Sequence, residues 1–384
     1  MRFEFATATR IIFGAGAIRE AAPAARELGQ RALLVTGASA ERYQGLADLI
    51  EREGVGCIRF PIPGEPEIGM VQAGIELARA GGCDLVIAIG GGSAIDAGKA
   101  VAALLANEGS VTDYLEVIGA GRPLLRPAAP FLAIPSTAGT GSEVTRNAVL
   151  ASREHGVKAS IRSPLMLPRL AIVDPEITFD LPPAITASTG LDALTQVIEP
   201  YVSTRANPMT DGFCLEGVSR AARSLRRAYR DGRDASARTD MAFTSLMGGL
   251  ALANAGLGVV HGLAAPIGGM FPAPHGAVCA ALLAPGMEVN IRALRERAPG
   301  CESLVRYQKL AAALTGDPES LPEDGPAFVR GLCREFSIPQ LRSYGLRHSH
   351  VDTLLEKASR ASSMKGNPIT LTHEELARLL AEAL

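Results

Sequence analysis

The sequence has no excess of basic residues: 38 Lys and Arg stand against 40 Asp and Glu, a formal net charge of −2. A nucleic-acid binder gathers Lys and Arg to neutralise phosphates, so no nucleic-acid partner is expected. Arginines do crowd together in SLRRAYRDGR (224–233), but helix formers and acids interleave with them, the pattern of a solvated helix face. No run of about 18 uncharged apolar residues occurs, which excludes a membrane span by this criterion. The opening MRFEFATATRIIFGAG alternates like a strand and lacks the basic head and apolar run of a secretory signal. Cysteine is sparse: the six residues (57, 83, 214, 279, 301, 333) show no C-x-x-C spacing, which argues against a zinc knuckle or disulfide framework and for reduced thiols in the cytoplasm. Tryptophan is absent, and no internal repeat or low-complexity tract interrupts the chain. What remains is a globular protein of 384 residues, 47% hydrophobic, with material for two packed domains, since single cores stop growing near ~250 residues.

From residue 30 to about 175 short apolar runs alternate with amphipathic segments: RALLVTG, ERYQGLADLIEREG, CIRF, MVQAGIELARAGG and DLVIAIGGG, with FLAIPST (131–137) and LAIVDP (170–175) as later strands. This alternation predicts β-α-β units and a parallel sheet. After Pro183 the spacing turns helical, in TDGFCLEGVSRAARSLRRAY, SHVDTLLEKASRAS and LARLLAEAL. The expected organisation is an α/β domain over 1–180 and an all-helical domain over 181–384. EGSVTDYL (108–115) and TGDPESLPEDGP (315–326) read as surface loops.

Two loops follow strands with phosphate-binding character. In DLVIAIGGGSAIDAGKA (84–100) an apolar strand runs into three glycines, a serine and a helix. Glycines let backbone approach a phosphate, and the free N–H groups at a helix start attract the anion. Alone, this pattern also fits a tight turn. IPSTAGTGSEVT (134–145) follows a second strand and adds the hydroxyls of Thr137, Thr140 and Ser142. Two such loops at strand C-terminal ends make a nucleotide site the better reading.

Further along, GLGVVHGLAAPIGGMFPAPHGA (256–277) places two of the six histidines, His261 and His275, in an apolar, glycine-rich stretch. Each alone reads as a core histidine bonded to backbone. Together with the two loops, TGLDALTQVIEPYVS (189–203), FGAGA (13–17) and the GNP at 366–368, however, the chain resembles the iron-containing, or group III, alcohol dehydrogenases over essentially its full length.

That resemblance implies a dehydroquinate-synthase-like fold: a dinucleotide-binding α/β domain, a helical domain carrying a divalent metal, and an active site in the cleft between them. It carries the family's ligand positions onto Asp192, Gln196, His261 and His275, with glutamine where the family has histidine. Ala265 stands where many members have a substrate-facing histidine. Gly91, Gly92 and Ser93 fall at the pyrophosphate, with Asp96 and Lys99 in the helix beyond, where an i,i+3 ion pair is the competing reading. Thr137, Thr140 and Ser142 fall near phosphates and ribose, with Lys158 and Ile185 nearby. Asn147 and Phe271 fall in the substrate pocket. In LLVTGAS (33–39), Gly37 replaces the acid that many NAD-preferring members carry, and Arg42 is the nearest arginine.

Asp192 and Gln196 are one helical turn apart and project from one face. A carboxylate, an amide oxygen and two imidazoles suit Fe²⁺ or Zn²⁺, although an amide is a weaker donor than imidazole. The competing arrangement is a metal-free remnant in which Asp192 hydrogen-bonds the histidines and protonated His275 steadies the oxyanion. The implied activity is NAD- or NADP-dependent hydride transfer between a small alcohol or hydroxy acid and its aldehyde or ketone, with His261 and His275 at the reacting centre. A lyase related to dehydroquinate synthase and a nucleotide-binding protein without catalysis are the rivals. The resemblance further implies a homodimer or larger assembly paired through N-terminal strands.

Overall fold

The strands of the first half form where side chains are buried on both faces. In the computed structural model, which describes residues 2–384, the order is β1 (Ile11–Phe13), α1 (Ala21–Leu28), β2 (Arg31–Thr36), α2 (Gln44–Arg52), β3 (Gly56–Pro61), α3 (Ile68–Ala80), β4 (Leu85–Gly90), α4 (Gly92–Leu105), a short α5 (Val111–Tyr114), β5 (Phe131–Pro135), β6 (Asn147–Ser152), β7 (Val157–Arg162) and β8 (Leu170–Val173). The six-stranded sheet runs β1-β8-β5-β4-β2-β3, every neighbouring pair parallel. Alternate residues feed opposite cores. Leu33, Val35, Val86 and Ala88 pack with α3 and α4, while Ala32, Leu34, Leu85 and Ile87 pack with α1 and α2. A strand covered on both sides has no polar face, which is why these segments read as continuous apolar runs.

Two expectations about this half need correction. The N-terminal alternation forms a strand only at Ile11–Phe13, because the register with β8 begins at Ile11 opposite Ala171. EGSVTDYL is more than a surface loop: Ser110 and Asp113 form a capping box that closes α5, and Val111, Tyr114 and Leu115 are buried in the core. A β6–β7 antiparallel hairpin, absent from the sequence reading, stands beside the main sheet, with Ala148, Leu150, Ala159 and Ile161 facing inward.

The chain then becomes helical: α6 (Pro183–Val202), α7 (Pro208–Arg230), α8 (Ala235–Ala255), α9 (Val259–Met270), α10 (His275–Arg297), α11 (Glu302–Thr315), α12 (Asp324–Glu335), α13 (Val351–Ser359) and α14 (His373–Ala383). Contacts divide the chain into two units: Phe5–Thr137 with Gly141–Thr178, and Phe179–Leu384 with Ala138–Thr140 and the N-terminal residues up to Glu4. The arginine-rich end of α7 pairs with acids, Arg223 with Asp240, Arg227 with Asp234, and Arg226 and Arg230 with Glu335. Helix α10 is long and apolar enough to cross a membrane, but 83% of its apolar window is buried, the mark of a core helix.

Lys99 on α4 organises the second phosphate loop. Its fully buried ammonium donates to Ser142 O (2.7 Å), Ser142 Oγ (3.0 Å), Thr145 Oγ1 (2.8 Å) and Asn147 O (2.8 Å), and lies 3.6 Å from Asp96. Burial lowers the Lys99 pKa; Asp96 and Glu143 oppose the shift. Glu143 is itself buried with neither carboxylate oxygen hydrogen-bonded, and burial pushes its pKa up to about 7 from 4.5. The folded protein therefore holds a proton that the unfolded chain releases between about pH 4.5 and 7. The resulting stability is full at the acid end of that window and lost as pH rises through about 7, a loss on the order of 3 kcal/mol at ~1.4 kcal/mol per tenfold change. Urea unfolding from pH 5 to 8 is expected to show the parent losing stability relative to Glu143→Gln; parallel curves would show that Glu143 does not titrate in this window.

Candidate active site

The candidate nucleotide-binding residues of the α/β unit gather where the strand order reverses. Strands β2 and β3 lie to one side of β4, and β5 to the other, so the C-terminal ends of β2 and β4 flank the crevice where open α/β sheets bind ligands. Gly37 follows β2, and a Cβ on Gly90 would stand 3.2 Å from the Gly37 amide nitrogen. No atom lies within 4 Å of a Cβ placed on Gly37. Gly91 caps α4 in an extended conformation (φ −72°, ψ −176°), followed by Gly92 and Ser93 as the first helical residues. A Cβ on Gly91 would meet Thr137 Cγ2 and Oγ1 at 3.6 Å, an ordinary contact that places Thr137 across from the glycine turn. All four are partly exposed, as an anion cradle requires.

Other expected cofactor residues are occupied within the protein. Asp96 accepts from Ser142 Oγ and from Val149 N (3.0 Å), so it ties α4 to the loop and to β6. Its separation of 3.6 Å from Lys99 makes the i,i+3 ion pair real. Asn147 lends its carbonyl to Lys99 at the start of β6. Lys158, on β7, pairs with Glu65 at 2.9 Å. Thr140 is partly exposed, and Ile185, in the first turn of α6, is 41% exposed. Arg42 donates to Ile177 O.

In the helical unit one face of α6 presents Asp192, Gln196 and Glu199, spaced one turn apart and all buried. Glu199 accepts from Val260 N (2.6 Å) at the N-terminus of α9, where a carboxylate complements the helix dipole. It also accepts from His261 Nδ1 at 2.7 Å, which turns Nε2 of that ring toward Asp192. Asn367, of the GNP triplet, accepts from Val259 N (3.1 Å) beside it. Gly258 admits both partners, since a Cβ there would lie 2.9 Å from Glu199 Oε1 and 3.0 Å from Asn367 Oδ1. Glu199 and Asn367 went unassigned in the sequence reading; the i,i+4,i+7 spacing from Asp192 on a buried helix was the available signal for Glu199.

Four donor atoms converge on one point. His261 Nε2 is 3.4 Å and His275 Nε2 3.8 Å from Asp192 Oδ1, and Cys279 Sγ is 3.9 Å and 3.6 Å from the same two nitrogens. All four lie within 4.8 Å of one another. Asp192 Oδ1 and Gln196 Oε1 are buried with no hydrogen-bond partner, a state costing about 1–3 kcal/mol for each group. Burial would raise the Asp192 pKa, but His275, His261 and the Gln196 amide hold it below the usual carboxylate value. Burial likewise opposes charge on His261, yet Cys279, Asp192 and Glu199 raise its pKa well above the ordinary imidazole value. Cys279 and then Asp192 raise that of His275 against burial. These residues fit a divalent ion. Ala265 follows His261 by one turn on α9 and is partly exposed, and Phe271 rests against His350 with ring centroids 5.1 Å apart.

Comparison with known proteins agrees over both halves. Residues 8–175 match the family described as iron-containing alcohol dehydrogenase, and 186–384 match its C-terminal domain, described as Fe-containing alcohol dehydrogenase family, C-terminal. Alcohol dehydrogenase 4 of Schizosaccharomyces pombe is 35% identical over 379 residues, covering 97% of this chain and 87% of the relative. The crystal structure of a 1,3-propanediol oxidoreductase superposes with a TM-score of 0.91 at 32% identity, covering all of both chains. Sulfoacetaldehyde reductase from Bifidobacterium kashiwanohense, solved in complex with NAD+, gives 0.87 at 29% identity over 99% of this chain and 98% of its own.

Gly91→Val is expected to leave the fold intact, since its Cβ meets only ordinary contacts, while its γ-methyls fill the space above the turn. Calorimetric titration with NADH and NADPH should show binding lost; unchanged affinity in a folded variant would make the GGGS segment a turn and nothing more.

Proposed function

The chain belongs to the iron-containing alcohol dehydrogenase family, and we propose that in this NAD(P)-dependent alcohol dehydrogenase Asp192, His261 and His275 hold the divalent ion while Gly91, Gly92 and Ser93 receive the nucleotide phosphates. The enzyme transfers hydride between NAD or NADP and a small alcohol or hydroxy acid, or the corresponding aldehyde or ketone. The observation that carries the residue assignment is the convergence of Asp192 Oδ1 with the two imidazole Nε2 atoms at 3.4 and 3.8 Å around unpaired, buried oxygens.

When bound, the ion supplies Lewis-acid polarisation of the substrate oxygen and the nicotinamide supplies or accepts the hydride. The protein's part is orientation and charge. Glu199 accepts a hydrogen bond from Nδ1–H of His261, favouring the tautomer whose Nε2 lone pair faces the cluster. Asp192 contributes a negative charge to the cluster. His275, whose side chain is 31% exposed, is the member open to an incoming substrate. Ala265, one helical turn after His261 on α9, presents a methyl where a histidine would place a hydrogen-bonding ring. With Asp96 and Asn147 engaged around Lys99, their part is to hold the second loop in shape.

Six free thiols support a reducing compartment, the cytoplasm, as the working environment. Exposed Phe3, ahead of β1, supports a homodimer or larger assembly joined near the N-terminus.

Steady-state assays with NADH and NADPH against a panel of small aldehydes and ketones test the reading, with stoichiometric oxidation of reduced cofactor as the expected result. Cofactor binding without turnover across the panel would overturn it. Gly37 sets a second expectation. It offers no carboxylate to repel a 2′-phosphate, so NADPH should be accepted, and Gly37→Asp should move the kcat/KM ratio toward NADH by at least about tenfold, the effect of ~1.4 kcal/mol. An unmoved ratio would mean that this strand end does not face the ribose.

A further inference from the structure

The fourth protein donor to the ion is assigned to position 196 by resemblance, yet the residue there is an amide. We propose that the thiolate of Cys279 fills that role and makes this a zinc-type centre. The proposal rests on the metal-assisted reading above and adds a ligand and a metal preference to it.

Cys279 follows His275 by four residues on α10, so the two side chains leave one helix face together. Bond lengths to zinc of about 2.3 Å for sulfur and 2.0–2.2 Å for nitrogen and oxygen set the edges of a tetrahedral ligand shell at roughly 3.3–3.6 Å. The observed separations are 3.4 Å and 3.8 Å from Asp192 Oδ1 to the two imidazoles, and 3.6 Å and 3.9 Å from Cys279 Sγ to the same nitrogens. Each lies within a few tenths of an ångström of a bound shell, so little rearrangement separates this geometry from coordination. Cys279 is fully buried yet stands against two imidazoles and a carboxylate. Cys333 gives a contrast: its thiol donates to the Ala280 carbonyl, as a structural cysteine does.

The unpaired oxygens supply the independent sign that a cation belongs here. Asp192 and Gln196 are each 2% exposed, and Asp192 Oδ1 and Gln196 Oε1 have no hydrogen-bond partner. Gln196 stands one helical turn from Asp192 on α6, and Glu199 holds the His261 ring, so both are placed to orient ligands from outside the donor set. Swapping an imidazole on α6 for a thiolate on α10 changes the donor set from oxygen and nitrogen to oxygen, nitrogen and sulfur. Thiolate favours zinc over the harder divalent ions, and the Asp, His, His, Cys set matches tetrahedral zinc. Binding is balanced by one proton: the S–H bond breaks, the proton leaves to solvent, and the electron pair forms the sulfur–metal bond.

Cobalt is the probe, because a thiolate on Co²⁺ gives an intense near-ultraviolet charge-transfer absorption that nitrogen and oxygen donors do not. The full-length protein, stripped by chelator, is titrated with Co²⁺ and then with Zn²⁺. The expected result is one Co²⁺ per chain with that band, displaced by Zn²⁺, and unchanged in form in Gln196→Ala. Cys279→Ser should keep the tetrahedral visible spectrum, lose the band and bind more weakly by more than the ~10–100-fold that supporting residues contribute. Co²⁺ bound without the band in the parent, or a band that survives in Cys279→Ser, would overturn the thiolate assignment and leave the metal reading standing. Failure of the parent to bind Co²⁺ or Zn²⁺ would overturn both. The parent spectrum is decisive even where the serine variant folds poorly.

Discussion

One buried carboxylate sets the direction of the helical site. Glu199 accepts simultaneously from the N-terminus of α9 and from the His261 ring, so the position of the helix and the tautomer of its histidine are fixed by the same side chain. Had Nδ1 been left without an acceptor, the ring could turn and its Nε2 lone pair would no longer be aimed at Asp192. The anchoring reaches further, since Asn367 accepts from the adjacent Val259 amide and exchanges hydrogen bonds with Asn290 on α10. Thus the loop ahead of α14, α9 and α10 are locked to α6 through amide and carboxylate groups sealed from water, where each bond is electrostatically stronger than at the surface. Gly258 is the condition for this, because any side chain there would separate the two acceptors from the helix start.

The α/β unit meets a different constraint, that of holding loose glycine-rich backbone in a defined shape before a ligand arrives. Lys99 does so from below. A buried ammonium with four oxygen acceptors pins Ser142, Thr145 and the start of β6 to α4, and Asp96 adds a tether to Ser142 and Val149. The helix whose N-terminus is proposed as the phosphate cradle is thereby the helix that holds the opposite loop. Gly91, Gly92 and Ser93 stay partly exposed, while Ser142 and Thr145 in the opposite loop are held by interior contacts.

Sheet strands covered on both sides had to be written as unbroken apolar runs, so β2, β4, β5 and β8 were legible, and helical spacing after Pro183 made the class of the second half legible too. The hairpin was harder. Its strands run only six residues, and in NAVLAS the outward face carries Val149 and Ala151 while the inward face ends in Ser152, so the period-two signal is weak beside the strong runs around it. For the site, helical spacing placed Asp192 and Gln196 together, but nothing local could bring Cys279 to them. That juxtaposition depends on how α10 packs across α6, a tertiary fact without a sequence period. Asp96 and Lys99 illustrate the same limit from the other side: the sequence permits a ligand contact or an internal pair, and only the positions of Ser142 and Val149 show what the carboxylate touches.

The substitutions at 196 and 265 acquire a common logic once Cys279 is counted. A shell of one carboxylate and three imidazoles leaves a divalent ion with a net charge of +1, whereas one carboxylate, one thiolate and two imidazoles bring it to zero. A neutral centre holds its ion with less repulsion from the surrounding protonatable groups and suits a drier, more apolar setting, because a net charge is costly to bury. Ala265 makes the setting more apolar in that way, replacing a polar ring by a methyl. The cost falls on polarising power, since electron donation from sulfur weakens the pull on a substrate oxygen. In the proposed ligand set, retention of the metal and activation of the substrate would therefore be opposed, and Glu199 is placed to set the balance between them. Its hydrogen bond makes the His261 Nε2 a more basic donor, so in the proposed centre it would strengthen the hold on the ion without touching it.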